Sequence, residues 1–167
     1  MSYQWYPAWF NKKLVKFYAA GLTNHLALND PLKRAKIEGQ AFGKQNWAWY
    51  AGASMGTVKK MFDWAIDVNF QWVQAQAVPS FDMNGIGRGN VADAGLITVK
   101  NDGSGGPTTK ATATGNGNFY GFMVDGTYAF TNNLVANPQL QMSWTLDKNL
   151  GPKLIYKQFE MEFIYAF

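Results

Sequence analysis

The chain of 167 residues is 47% hydrophobic and 16% aromatic but only 16% charged, and its net charge is +4. It is long enough for one domain and too apolar for intrinsic disorder. The absence of Cys and the single His exclude disulfide scaffolds, thiol nucleophiles and histidine-cluster zinc sites. No run of about 18 apolar residues indicates a helical membrane span. The basic residues form short clusters rather than the stripe typical of nucleic-acid binding.

In chain order, six segments alternate apolar and polar side chains, and this period of two predicts β-strands. An apolar stripe at every second residue cannot lie on one side of a helix, whose turn has 3.6 residues. The first segment is ambiguous, because either the set starting at Val15 or the set starting at Tyr18 could form its apolar side. The predicted strands are 14–28, 47–55, 62–72, 120–130, 139–147 and 159–167, with a partial extra strand within Tyr3–Phe10.

The connections between these strands alternate in length. Short ones fall near 11–13, 56–60 and 132–138, an intermediate one at 148–153, and long ones at about 29–45 and 78–117. The longest contains a predicted hairpin, Leu96–Lys100 with Thr108–Thr114. Its arms are shorter than the roughly 9–11 residues of a tilted membrane strand, so we expect it beyond the bilayer. Short turns at one end and long loops at the other are typical of an up-and-down β-barrel.

The apolar sides of the predicted strands carry very large side chains, while the opposite sides carry mostly Gln, Asn, Ser, Thr, Gly and Ala. A soluble sandwich would have to pack rings from every strand into a core about 10 Å thick. Lipid can surround these rings without a surface of complementary shape. A sheet in lipid must close into a barrel, because each unpaired amide at an open edge costs free energy in hydrocarbon. The sequence therefore predicts an all-β fold, an antiparallel up-and-down transmembrane β-barrel, with residues 1–167 as one domain.

The predicted strand count leaves the closure of the barrel open, because the smallest usual single-chain barrel has about eight strands. Eight strands with short loops could close alone, several chains could share one barrel, or the chain could be part of a larger barrel. We favour the third arrangement, in which this chain supplies the C-terminal six to eight strands.

The final segment, FEMEFIYAF at 159–167, resembles the C-terminal signature of outer-membrane β-barrels. In that signature a terminal Phe and alternating apolar residues are read by the barrel-assembly machinery. The resemblance implies that Phe163, Tyr165 and Phe167 form the assembly signal.

Three further stretches, at 47–56, 62–64 and 74–81, are similar to a bacterial outer-membrane porin family, and 126–134 resembles a strand-turn-strand unit common in porins. The resemblance implies a passive diffusion channel for small hydrophilic solutes or ions in the outer membrane of a Gram-negative bacterium. It also implies a homo-oligomer, or association with further barrel strands, and no catalytic residue.

The polar sides of the strands would line the lumen, and their carboxylates predict a weak preference for cations. Arg88, in the longest loop, is the candidate for a positive charge at a constriction. No nucleophile, metal-ligand set or oriented base accompanies the carboxylates, so we expect no enzyme activity, no metal and no cofactor. The candidate pore-lining residues are Asp63, Asp67, Asn69, Asp125, Gln141, Ser143, Glu160 and Glu162.

Two other functions compete with the channel. The first is a structural or adhesive outer-membrane barrel without an open pore, and the second is a soluble β-sandwich that binds carbohydrate through exposed rings. The channel predicts outer-membrane lipid and the barrel-assembly machinery as partners, and it predicts no nucleic-acid partner.

Overall fold

The computed structural model describes residues 1–10, 12–25, 36–37, 40–41, 45–78, 94–101, 107–115, 117–147 and 153–166. Within these ranges no helix is long and apolar enough to cross a membrane. The strands are β1 (Ser2–Trp5), β2 (Val15–Thr23), β3 (Lys36–Ile37), β4 (Gln40–Ala41), β5 (Trp47–Gly56), β6 (Trp64–Val73), β7 (Ala94–Asn101), β8 (Pro107–Gly115), β9 (Phe119–Ala129), β10 (Leu134–Thr145) and β11 (Ile155–Tyr165), and a 3-10 turn spans Ala8–Phe10.

Seven of these strands form one antiparallel sheet in the order β1-β2-β5-β6-β9-β10-β11, which we call the main sheet. Its strands follow one another up and down in chain order, so the predicted all-β, antiparallel, up-and-down architecture is confirmed. Each of the six predicted strands has its counterpart, and β1 lies where a partial strand was expected. The strand predicted from Phe62 begins at Trp64, because Phe62 has a left-handed φ of 67° and belongs to the preceding turn.

The hairpin predicted inside the longest connection is also present. Its arms are β7 and β8, which pair only with each other within the described residues and form a separate two-stranded sheet. The main sheet passes from β6 directly to β9. The hairpin therefore adds nothing to the width of the main sheet, and β3 with β4 forms another small sheet apart from it.

The register divides the main sheet into two faces and settles the ambiguous strand β2. Val15 pairs with Met55 and Phe17 with Ala53, whereas Tyr18 pairs with Gly52. Since paired residues share a face, Val15 and Phe17 lie with the rings of β5 and β6, on what we call the aromatic face. Tyr18 lies on the opposite, polar face, which carries Asp67, Asn69, Asp125, Gln139, Gln141, Glu160 and Glu162.

Strands β1 and β11 are the two edges of the main sheet, and the described residues do not pair them with each other. The described part of the chain therefore forms an open sheet and does not close into a barrel by itself. Because neighbours are antiparallel, the first and seventh strands of the sheet run in the same direction. Direct closure would thus require a parallel ladder in an otherwise antiparallel sheet.

The connections gather at two ends of the main sheet. The turn end holds the links 6–14, 57–63 and 130–133, and the loop end holds the links that follow β2, β6 and β10. A small apolar core lies at the loop end, on the polar face, where Ala77 packs with Phe119, Val73 and Ala48. No layer of the described residues covers the aromatic face, on which Phe159 is 66% exposed and Trp49 is 44% exposed.

Candidate functional site

The polar face carries a chain of side-chain hydrogen bonds across and along its central strands. The hydroxyl of Tyr18 donates to Asp67 Oδ1 at 2.5 Å. Asn69 Nδ2 donates to the same oxygen at 3.4 Å, and Gln71 Nε2 donates to Asn69 Oδ1 at 3.0 Å. Asp67, Asn69 and Gln71 follow one another at every second residue of β6, so the strand itself places them in line.

A second chain follows β9 and β10. Gln139 Nε2 donates to Asp125 Oδ1, and Gln141 Nε2 donates to Gln139 Oε1, both at 2.5 Å. On β11 the hydroxyl of Tyr156 donates to Gln158, whose amide donates to Glu160 Oε2 at 3.4 Å. The amides thereby hold the carboxylates in fixed positions along the face.

The carboxylates lie at the end of each chain that is nearer the turn end of the sheet. Asp67 and Asp125 stand directly opposite each other on β6 and β9, and Glu160 stands opposite Gln139. A hollow of about 300 Å³ borders Asp125, Asn137, Gln139, Glu160 and Glu162. Among the described residues, Lys16 is the only lysine or arginine on the polar face of the main sheet. The carboxylates outnumber it, so this face has a negative potential.

Gly52 determines how Tyr18 reaches Asp67. Gly52 lies on β5, between the strands of the two bonded residues. A Cβ built there would lie 2.5 Å from the Tyr18 hydroxyl and 2.7 Å from the Val68 carbonyl oxygen. The phenol ring therefore crosses the β5 backbone at a residue without a side chain, and the hydrogen bond links β2 to β6 across β5.

Of the predicted pore-lining residues, Glu162 borders the hollow without joining these chains, and two others lie away from both the chains and the hollow. Ser143 faces the polar side but is 0% exposed, and its Oγ has no hydrogen-bond partner among the described atoms. Asp63 lies in the link 57–63, where its Oδ2 accepts hydrogen bonds of 3.1 Å from the backbone N–H groups of Lys59 and Lys60. These bonds, that of Lys59 first, lower the pKa of the Asp63 carboxyl below its ordinary value.

Sequence reasoning missed the segment 74–78, which closes over the loop end of the polar face. Asn24 Nδ2 donates to the Gln76 carbonyl at 2.8 Å, and the Gln76 N–H donates to the Gln45 carbonyl at 2.8 Å. Ala75 and Ala77 are fully buried as a result. The only available signal was the pattern of small residues in this stretch. Such a pattern does not predict the path that the backbone takes over the sheet.

The rings of the aromatic face are concentrated in two rows. One row at the loop end joins Trp49, Trp72, Tyr120 and Trp144 across four strands, with ring centroids 5.6 Å apart for Tyr120 and Trp144. The other row, at the turn end, contains Trp64, Tyr128 and Phe163. Between these rows the aromatic face of β2, β5, β6, β9, β10 and β11 carries aliphatic residues, Gly and Phe, and one charged residue, Lys157 on the edge strand β11, but no Trp or Tyr.

The residues predicted as an assembly signal end the last strand. Phe163 and Tyr165 lie on the aromatic face of β11 and are exposed, whereas Phe167 lies outside the described residues. Arg88, the constriction candidate, and most of the long loops at 29–45 and 78–117 also lie outside them.

The arrangement is a set of hydrogen-bonded amides and carboxylates spread along one face of the main sheet. The described residues contain no group of three His, Cys, Asp or Glu side chains placed to hold a metal ion. The carboxylates and amides of the polar face can exchange hydrogen bonds with water and attract cations. Comparisons with protein-family models, with curated proteins and with solved structures find no match to this chain.

Proposed function

We propose that the main sheet is part of the wall of an outer-membrane porin, a passive diffusion channel for small hydrophilic solutes or ions. The polar face lines the water-filled lumen, and the aromatic face contacts lipid. One observation carries this proposal, namely that the Trp and Tyr rings on the aromatic face of the central strands lie near the two ends of the sheet, separated by a band without Trp or Tyr.

The spacing of the rows fits the thickness of a membrane. Trp64 and Trp72 are the first and ninth residues of β6, which places them about 26 Å apart at about 3.3 Å per residue. A strand tilt of about 40° reduces this to about 20 Å along the membrane normal, close to the apolar band of about 25 Å in such barrels. Trp and Tyr favour the two interfaces because their rings are apolar with one polar group.

The aromatic face would be unfavourable in water. Exposed rings or large aliphatic side chains occur on the aromatic face of every strand of the main sheet, for example on Phe17, Phe70 and Phe163. Contiguous apolar patches on soluble monomers rarely exceed a few hundred Å². Lipid contact removes that cost without a second protein layer. Lys157, on the edge strand β11, can extend its ammonium group towards the interface at the loop end.

Closure of the barrel needs further strands. Because β1 and β11 run in the same direction, an all-antiparallel barrel requires an odd number of additional strands between them. If copies of this sheet were related by rotation about the pore, β11 of one copy would lie parallel to β1 of the next. Copies alone therefore do not give an all-antiparallel barrel. Further strands of alternating sequence do, and the main sheet would then be one portion of a larger barrel.

The same polar face also supports a second candidate, a structural or adhesive outer-membrane barrel without an open pore. The observation in its favour is the segment 74–78, which covers the loop end of the polar face with the apolar core around Phe119. In both cases the exposed end of β11 is the part offered to the barrel-assembly machinery.

Two measurements on protein refolded into vesicles test these proposals. Lipids brominated along their acyl chains should quench the tryptophan fluorescence, because the rings contact lipid. Planar-bilayer recordings should then show discrete steps of open current. Quenching without conductance favours the structural barrel, and a protein that dissolves without detergent and is not quenched overturns both membrane proposals.

A further inference from the structure

The three links at the turn end form one contiguous surface. The backbone N–H of Phe62 donates to the Ala129 carbonyl at 2.7 Å, and the N–H of Met61 donates to Asn132 Oδ1 at 3.1 Å. On the other side, the Gly56 N–H donates to the Leu14 carbonyl at 2.9 Å. The links 6–14, 57–63 and 130–133 therefore present their side chains together.

This surface is basic. Lys12, Lys13, Lys59 and Lys60 lie in its links, and Asp63 is the one carboxylate in the described residues of those links. The Asp63 carboxylate already accepts two backbone hydrogen bonds. The surface therefore holds four ammonium groups and one carboxylate, and its local charge is positive.

Aromatic rings adjoin the lysines at the same end. Trp9, which is 73% exposed, packs with Trp5 and Phe10 at centroid distances of 6.0 and 5.6 Å. Phe10 in turn contacts Trp64 at 5.8 Å, and Lys13 Nζ lies 4.9 Å from the centroid of the Trp64 ring. Ammonium groups and interfacial rings are thus placed side by side.

The described residues of the loop end have a different chemistry. There Asn46 Nδ2 donates to Thr23 Oγ1 at 3.0 Å, and Asn118 Nδ2 donates to the Asp147 carbonyl at 3.0 Å. These amides thus bond to neighbouring side-chain and backbone oxygens, whereas the described residues of the turn-end links hold four lysines and one carboxylate, Asp63.

We propose that the turn end binds the headgroups of anionic phospholipids. The rings of Trp9 and Trp64 lie at the headgroup level, and Lys12, Lys13, Lys59 and Lys60 contact the phosphates. Charge complementarity selects this partner, since lysines near an anionic membrane surface each strengthen binding about fivefold. The inference rests on the proposed membrane location of the aromatic face and adds a lipid preference confined to one end.

The test uses spin-labelled lipids in vesicles that contain the refolded full chain. The fraction of motionally restricted label is measured for phosphatidylglycerol and for phosphatidylcholine at low ionic strength. We expect restricted lipid for both headgroups, with a preference for phosphatidylglycerol. The Lys59→Gln/Lys60→Gln variant should lower that preference at least about twofold, and substitution of all four lysines should remove it.

The matched control is Lys100→Gln/Lys110→Gln, which removes two lysines from the β7–β8 hairpin, outside the main sheet, and should keep the preference. Equal binding of the two lipids, or a preference that survives the fourfold substitution, would overturn this inference alone. Loss of the preference in the control variant would do the same, because the charge effect would then not be local. Absence of restricted lipid for both headgroups would overturn the proposed function as well.

Discussion

Tyr18 and Asp67 lie on strands that do not pair with each other, and yet their side chains form a 2.5 Å hydrogen bond across the backbone of Gly52. Three strands of the main sheet are thereby joined on the polar face. The same contact orients one of the two carboxylates that face each other across β6 and β9.

The first prediction concerns Gly52. In the Gly52→Ala variant the new methyl group meets the Val68 carbonyl oxygen at 2.7 Å, and this backbone atom cannot move without disturbing the pairing of β5 with β6. We expect a loss of about 1–3 kcal/mol in the free energy of unfolding, measured by urea titration in detergent. Gly21→Ala is the control, since its nearest neighbour is 3.9 Å away, and an equal loss there would contradict the steric argument.

The second prediction concerns the hydrogen bond itself. Tyr18→Phe removes the donor to a charged acceptor in a partly buried site, which should cost about 1 kcal/mol of unfolding free energy. A double-mutant cycle with Asp67→Ala isolates the pair. Strictly additive losses would show that the two side chains do not interact in solution.

The third prediction is a pH dependence that originates at Asp63. Its backbone hydrogen bonds lower the pKa of the folded carboxyl below the ordinary value of 3.8. The stabilisation is therefore present above the unfolded pKa and is lost as the pH falls through the folded pKa. Asp63→Asn should flatten the fall in stability between about pH 5 and pH 2 when denaturant midpoints are compared. If the midpoints of the variant fell with pH as steeply as those of the wild type, the acid sensitivity would originate at other carboxylates.

The fourth prediction concerns permeation. If the polar face lines an open lumen, Asp67→Asn/Asp125→Asn removes two facing negative charges, and the cation-to-anion permeability ratio should fall by about half or more. The reversal potential in a salt gradient reports this ratio. Lys16→Gln, on the same face, should shift the reversal potential in the opposite direction. An anion-selective wild-type channel would refute the proposed role of these carboxylates.

The fifth prediction follows from the open edges. Amides of β11 that face away from β10 should exchange with deuterium faster than those of β6 and β9, whose strands are paired on both sides. Mass spectrometry of the detergent-solubilised chain measures this. Strong protection of every β11 amide in the isolated chain would mean that another strand covers this edge.

Much of the fold was predictable because the period of two is a local property. The alternation of Phe62, Trp64, Ile66 and Val68 identifies a strand and its faces without knowledge of any partner. The same holds for the hairpin in the longest connection and for the polar set at Asp67, Asn69, Asp125 and Glu160, which the sheet brings to one face. Strand ends were less predictable, since Phe62 leaves the strand through its left-handed φ of 67°.

By itself, the sequence determined the strands and their two faces, one with aromatic rings and the other with amides and carboxylates. Only the tertiary structure decided the side chosen by β2, the reach of Tyr18 over Gly52, the opposition of Asp67 and Asp125, and the open edges at β1 and β11. The physical reason is that alternation fixes side-chain direction within each strand, whereas register and closure depend on contacts between residues far apart in the chain.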